Sequence, residues 1–126
     1  MDSLLRKSGS ELARLIREGE CRAIEVVERH IERIEQVDPR LNAVVRKRFD
    51  AARQEAVEAD TLVDLAPADD LPPLHGVPCT IKESCALRGM PNSSGLVSRA
   101  GIVAAEDAPP VARLRAAGAI PLGVTN

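Results

Sequence analysis

The sequence predicts an α/β fold in which the helices come first and the strands come late. Three observations carry this. Apolar residues at helical spacing dominate the first half of the chain, an acidic proline-rich stretch follows, and short β-prone runs appear only after it, separated by one more helical segment.

Taken in order, Ser8 or Ser10 can cap a helix running to about Arg17, with Leu12, Leu15 and Ile16 on one face and Gly19 as its stop. Ile24, Val27, Ile31 and Ile34 then recur at the spacing of an amphipathic helix expected to end before Asp38-Pro39. A third helix is expected from Phe49 to Asp60, where Phe49, Ala52, Ala56 and Ala59 make a narrow face that another element can approach closely. The stretch TLVDLAPADDLPP, residues 61–73, suits an exposed linker. Past the His75-Gly76 turn, Val77 to Ile81 reads as a strand, Ala108 to Ala117 as a helix closed by Gly118, and Ala119 to Val124 as a second strand. Strand, long loop, helix, strand is the outline of a parallel crossover unit. Two parallel strands do not make a stable sheet, so the chain is expected to be the front part of a larger mixed-sheet protein. Its helical part would cover about 8–60, its linker 61–73 and the start of its sheet 74–126.

Composition narrows the function classes. With 126 residues, 44% of them hydrophobic, and a formal charge of −2, the chain is in the range of ordinary globular proteins. Seventeen Lys and Arg are mixed with nineteen Asp and Glu, which leaves no basic face for nucleic acid. No apolar run approaches the roughly 18 residues of a membrane span, and MDSLLRKSGSEL turns polar too soon for a secretory signal, so a cytoplasmic location is expected. Cys21, Cys79 and Cys85 are odd in number and match no zinc spacing, which favours reduced thiols serving as buried apolar filler. Phe49 is the only aromatic residue, so the core must be built from aliphatic side chains and alanine.

The chemistry centres on Lys82, in LHGVPCTIKES. At the carboxyl end of an interior parallel strand it stands where open α/β sheets place ligands and catalytic groups. One reading is a solvated lysine at a strand end. The other is a lysine in a dry pocket, where desolvation disfavours the ammonium and leaves a usable base.

The neighbouring residues add a resemblance. LHGVPCTIKES is similar to the G-[IV]-P-x-x-[IV]-K-[DE] motif of the amidase signature family, hydrolases with a Ser, cis-Ser, Lys triad. Asp38-Pro39 with Leu41-Asn42-Ala43 resembles the family's D-P-x-[LI]-N-A, Ala59-Asp60 its A-D helix end, and Gly89 and Pro91 its K-G-x-P turn. Asp107-Ala108, Leu114-Arg115, Ala117-Gly118-Ala119, Leu122-Gly123 and Thr125-Asn126 follow in the family's order. Glu83 and the run GMPNSSGL resemble the fatty-acid amide hydrolase branch, particularly its second type. The amidotransferases that act on misacylated transfer RNA resemble it less, since their loop usually reads T-x-C-A-S.

The resemblance implies the N-terminal part of an α/β/α amidase fold, a small-molecule amide substrate and Lys82 as the catalytic base. The residues themselves offer no metal-ligand cluster and no glycine-rich phosphate loop, so no cofactor or metal is expected, and a homodimer is left open. The resemblance also exposes departures. Arg22 stands where the family often has a serine or threonine cap, so the second helix is expected to start weakly. Pro109-Pro110 replaces a threonine-valine pair, tolerable in a first helical turn. The family's nucleophile and cis serine lie in a G-G-S-S-G-G stretch and a downstream serine after the T-N motif, and the sequence reaches Asn126 without either. Ser93-Ser94-Gly95 imitates that stretch, but its order assigns it to a different loop. His75 reads as a turn residue, and Cys79 and Cys85 lack the partners of a cysteine nucleophile. Two function classes therefore remain: the base-bearing piece of an amidase, inactive alone, or a non-catalytic binding module that keeps part of the fold.

Overall fold

A computed structural model describes residues 3–126. Met1 and Asp2, the first residues of the segment read as lacking a secretory signal, lie outside the described residues. Helix α1 (Gly9–Arg17) starts at Ser8, whose hydroxyl accepts from the Glu11 N–H at 3.2 Å while Glu11 accepts from the Ser8 N–H at 2.7 Å. This capping box satisfies two N–H groups reciprocally and fixes the start that the sequence indicated.

Helix α2 (Ala23–Leu41) runs past the expected stop at Asp38-Pro39. Pro39 sits in the last turn, where the chain gives up one hydrogen bond without losing the helix. The turn is closed by Asn42 in the left-handed conformation, φ 49°, with its N–H on the Asp38 carbonyl at 2.7 Å. The Asp38 carboxylate also accepts from the N–H groups of Ala43 and Val44, at 2.7 and 3.0 Å.

The start of α2 corrects a second expectation. Arg22 makes no side-chain cap, but Asp60, only 4% exposed, accepts from the Ala23 and Ile24 N–H groups at 2.6 and 3.1 Å. The cap comes from α3 (Phe49–Leu65), the helix packed alongside. That helix continues through TLVDL, so the connection begins only near Pro67. Asp64, read as part of a linker, instead pairs with Arg22 through two contacts at 2.9 and 3.1 Å.

Between α2 and α3 lies a strand the sequence did not announce, β1 (Val44–Lys47), with only Val44 buried. It pairs antiparallel with β3 (Ile120–Thr125), which pairs parallel on its other edge with β2 (Pro78–Lys82). The three-stranded order is β1-β3-β2, so the expected parallel pair exists and belongs, as expected, to a mixed sheet. Residues 120–124 of the central strand are all buried. Gly123 is required there by close approach, because a Cβ would lie 2.3 Å from the Arg46 carbonyl oxygen.

Helix α4 (Pro109–Ala116), opening on two prolines as expected, completes an α/β/α arrangement. One core joins Leu12 and Ile16 of α1, Val26, Val27 and Ile31 of α2, and Phe49, Ala52 and Ala56 of α3 to Ile120 and Leu122. A smaller one joins Val111 of α4 to Ile81, Leu87 and Val124. Ala52 and Ala56 are fully buried, and their small side chains let α2 and α3 close with a single aromatic residue in the chain. No helix among the described residues is long and apolar enough to cross a membrane.

Asp60→Ala should destabilise the protein by about 2–3 kcal/mol, because it strips a buried, charge-assisted cap from two N–H groups. Asp60→Asn, which keeps one acceptor oxygen, should lose less. Urea denaturation followed by far-ultraviolet circular dichroism checks both, and a midpoint unchanged in Asp60→Ala would show that α2 does not need the carboxylate.

Candidate active site

Lys82 is the last residue of β2, opposite Thr125 of β3. The strand end is pinned: the Glu83 N–H donates to the Thr125 carbonyl at 2.9 Å, and the Cys85 N–H turns back onto the Lys82 carbonyl at 2.8 Å. The lysine side chain is exposed and, among the described residues, its Nζ has no hydrogen bond or ion pair. The dry surroundings expected for a neutral amine are therefore not formed by these residues. What they form is an open cavity of about 350 Å³, lined by Val45, Lys82, Glu83, Ser84, Ser93, Ser94, Gly95 and Asn126. Three motifs distant in sequence, I-K-E, N-S-S-G and T-N, thus meet on one concave surface, and β1 supplies Val45 as a further wall.

Glu83 organises this surface, and the sequence pointed to it only as a branch marker. Its carboxylate accepts from the Ser93 N–H at 2.9 Å, the Ser94 N–H at 2.9 Å and the Ser93 hydroxyl, while its carbonyl accepts from the Asn92 side chain at 3.0 Å. These donors favour the ionised form and hold the Glu83 carboxyl below its ordinary range, the Ser93 hydroxyl contributing most. Ser94 is held at φ 53°, a left-handed conformation uncommon for a residue with a side chain.

Against known proteins, residues 25–126 match the family described as Amidase. The chain is 51% identical over 128 aligned residues to fatty-acid amide hydrolase 2-A of Danio rerio, covering 98% of this chain and 24% of that protein. It is 36% identical over 126 residues to a glutamyl-tRNA(Gln) amidotransferase subunit of Salinispora tropica, covering 100% of this chain and 25% of that one. Native peptide amidase from Stenotrophomonas maltophilia superposes with a TM-score of 0.84 at 32% identity, over 98% of this chain and 25% of the other. The chain thus spans about a quarter of the length of the proteins it matches.

The other candidates lie apart from the cavity or beside it without partners. His75 is buried at the opposite end of β2, with Nε2 2.8 Å from the Ala59 carbonyl, and His30 Nδ1 lies 2.8 Å from the Val26 carbonyl within α2. Cys21 and Cys79 are half-buried, as filler would be, but Cys85 is exposed, contrary to expectation, because it follows the turn that ends β2. Burial pushes the Cys79 thiol up to about 11, against the weaker pull of Arg48 and Arg115. At pH 8 only about one Cys79 in a thousand is then thiolate, the reactive form. Iodoacetamide at pH 8 should label Cys85 on the order of a hundredfold faster than Cys79, as read by peptide mass spectrometry. Equal labelling would show that β2 does not hold Cys79 in the sheet.

Proposed function

The chain belongs to the amidase signature family, hydrolases of amide bonds, and from that premise we propose that Lys82 is the general base of a Ser, cis-Ser, Lys mechanism. The observation that carries the reading is the convergence of the lysine strand end, the N-S-S-G loop and the T-N segment on one cavity. In this reading the 126 residues are the N-terminal portion of one amidase domain. They supply the base, while the cis serine and the nucleophile belong to the G-G-S-S-G-G stretch and downstream serine, which have no counterpart in these residues.

The chemistry follows from what a neutral amine can do. Lys82 takes the proton of the cis serine, which in turn takes the proton of the nucleophilic serine as that oxygen attacks the amide carbonyl. The proton returns to the leaving amine, and water then releases the acyl group from the serine. Backbone N–H groups near the serines hold the oxyanion. Because Lys82 is exposed here, the desolvation that favours its neutral form requires a cover over the open side of the cavity. A fatty-acid amide is the favoured substrate class, supported by 51% identity to a fatty-acid amide hydrolase compared with 36% to a transfer-RNA amidotransferase.

The isolated 126-residue chain should be catalytically silent towards short and long acyl amides. When it is joined to the serine-bearing remainder of an amidase domain, Lys82→Ala should lower turnover by roughly 10²–10⁴. Lys82→Arg should be nearly as inactive, because arginine keeps the charge but cannot give up its proton. Near-wild-type turnover in a folded Lys82→Arg variant would reduce the lysine to an electrostatic role.

A further inference from the structure

We propose that Glu83 is the positioning residue of the lysine cavity: its carboxylate holds the 92–95 loop in place as the wall facing the end of β2, and the wall loosens when that carboxylate is protonated. The hydrogen bonds that hold the loop independently of the carboxylate gather at its two ends. The Asn92 N–H reaches the Ile102 carbonyl at 2.9 Å, the Asn92 side chain reaches the Glu83 backbone carbonyl at 3.0 Å, and Arg99 donates to the Asn92 carbonyl at 3.2 Å. The Leu96 N–H reaches the Ser93 carbonyl at 3.1 Å, and the Gly95 N–H reaches Ser93 Oγ at 3.2 Å. The N–H groups of Ser93 and Ser94 have no acceptor among the described residues except Glu83. A protonated carboxyl, or a glutamine amide, offers one carbonyl oxygen to three donors that now share two ionised ones, so the bonds that offset the left-handed backbone of Ser94 are fewer and weaker.

The charges around Glu83 favour its ionised state. Arg99, whose guanidinium donates to the Asn92 carbonyl at 3.2 Å, adds a positive neighbour from the loop side, and Lys82 is the other cation lining the cavity, on the strand side, without a contact to the carboxylate. The sign follows directly. The folded-state affinity of Glu83 for a proton is lowered, so its contribution to the loop is complete above the ordinary carboxylate range and is lost as pH falls through the lowered value. The relevance of this wall to amide hydrolysis rests on the general-base reading of Lys82, but the anchoring itself does not.

The test uses the 126-residue chain and nuclear magnetic resonance. In the wild type, the Ser93 and Ser94 amides and the Glu83 side-chain carbon should titrate together, with one midpoint below the ordinary carboxylate range. In Glu83→Gln the step should vanish and both amides should exchange with solvent roughly tenfold faster or more, with core amides such as Ile16 and Leu122 unchanged. Unaltered exchange with an intact core would overturn the proposal, as would the absence of a shared step in the wild type. Ser93→Ala provides a second reading should the glutamine variant fail to fold: removing the hydroxyl donor should raise the Glu83 midpoint, and an unmoved midpoint would also overturn the assignment. Lys82→Ala should leave the shared step in place whatever the role of the lysine in catalysis. Loss of the step there would transfer the anchor to the lysine.

Discussion

Strand β3 is paired on both edges and covered on both faces, and two of its residues exist to make that possible. Gly123 lets β1 approach to a distance that no side chain allows, while Pro121, which lacks an N–H, occupies the stretch where the register with β2 shifts. The freed geometry is held by a chain of charges. Arg48 donates to the Pro121 carbonyl at 2.6 Å and grips Glu55 through contacts at 2.6 and 3.1 Å. Glu55 meets Arg115 of α4 at 3.4 Å, and Arg115 meets Asp107 at 3.3 Å, whose carboxylate also accepts from the Arg88 N–H at 2.8 Å. One half-buried network thus ties both helical layers to the central strand. Its members are largely shielded from water, with the Arg48 side chain only 10% exposed, which is where ion pairs are least screened and hardest to break singly.

The cavity is a consequence of that arrangement. With β3 fixed, β2 can end in one place only, so Lys82 emerges opposite Thr125 and beside Asn126, and the turn after it brings Glu83 under the serine loop. The carboxyl ends of β2 and β3 lie together, the location where parallel strands present groups to a ligand. Val45 arrives from the antiparallel side, on a strand that owes its place to Gly123.

How much of this the sequence disclosed depended on whether each device was local. The cap of α1 is local, and the sequence narrowed it to Ser8 or Ser10, leaving Glu11, three residues on, to identify Ser8 through the box. The position of Lys82 at a strand end and the opening of α4 near Pro109-Pro110 were equally local. Pro39 misled because a proline in a last turn and a proline beyond it look alike in sequence, and the deciding partner, Asp38, works through its side chain. β1 was invisible because Val44 is its only buried residue, leaving no alternation to detect. The TLVDL segment looked like a linker because its acidic content hid the pairing of Asp64 with Arg22. Glu83 and Asp60 act on residues 10 and 37 positions away, and no spacing rule covers such distances.

The cap that Asp60 lends to α2 has a bearing on the order of folding. A helix with its own N-cap can nucleate before anything packs on it, as the Ser8 box allows α1 to do. The first turn of α2 has no such autonomy, since its N–H groups find their acceptor only after the chain between residues 23 and 60 has closed a loop. The early part of α2 and the late part of α3 are therefore one cooperative unit, gained and lost together. Fraying at Ala23 is governed by the docking of two helices rather than by the propensity of the residues that begin the second one.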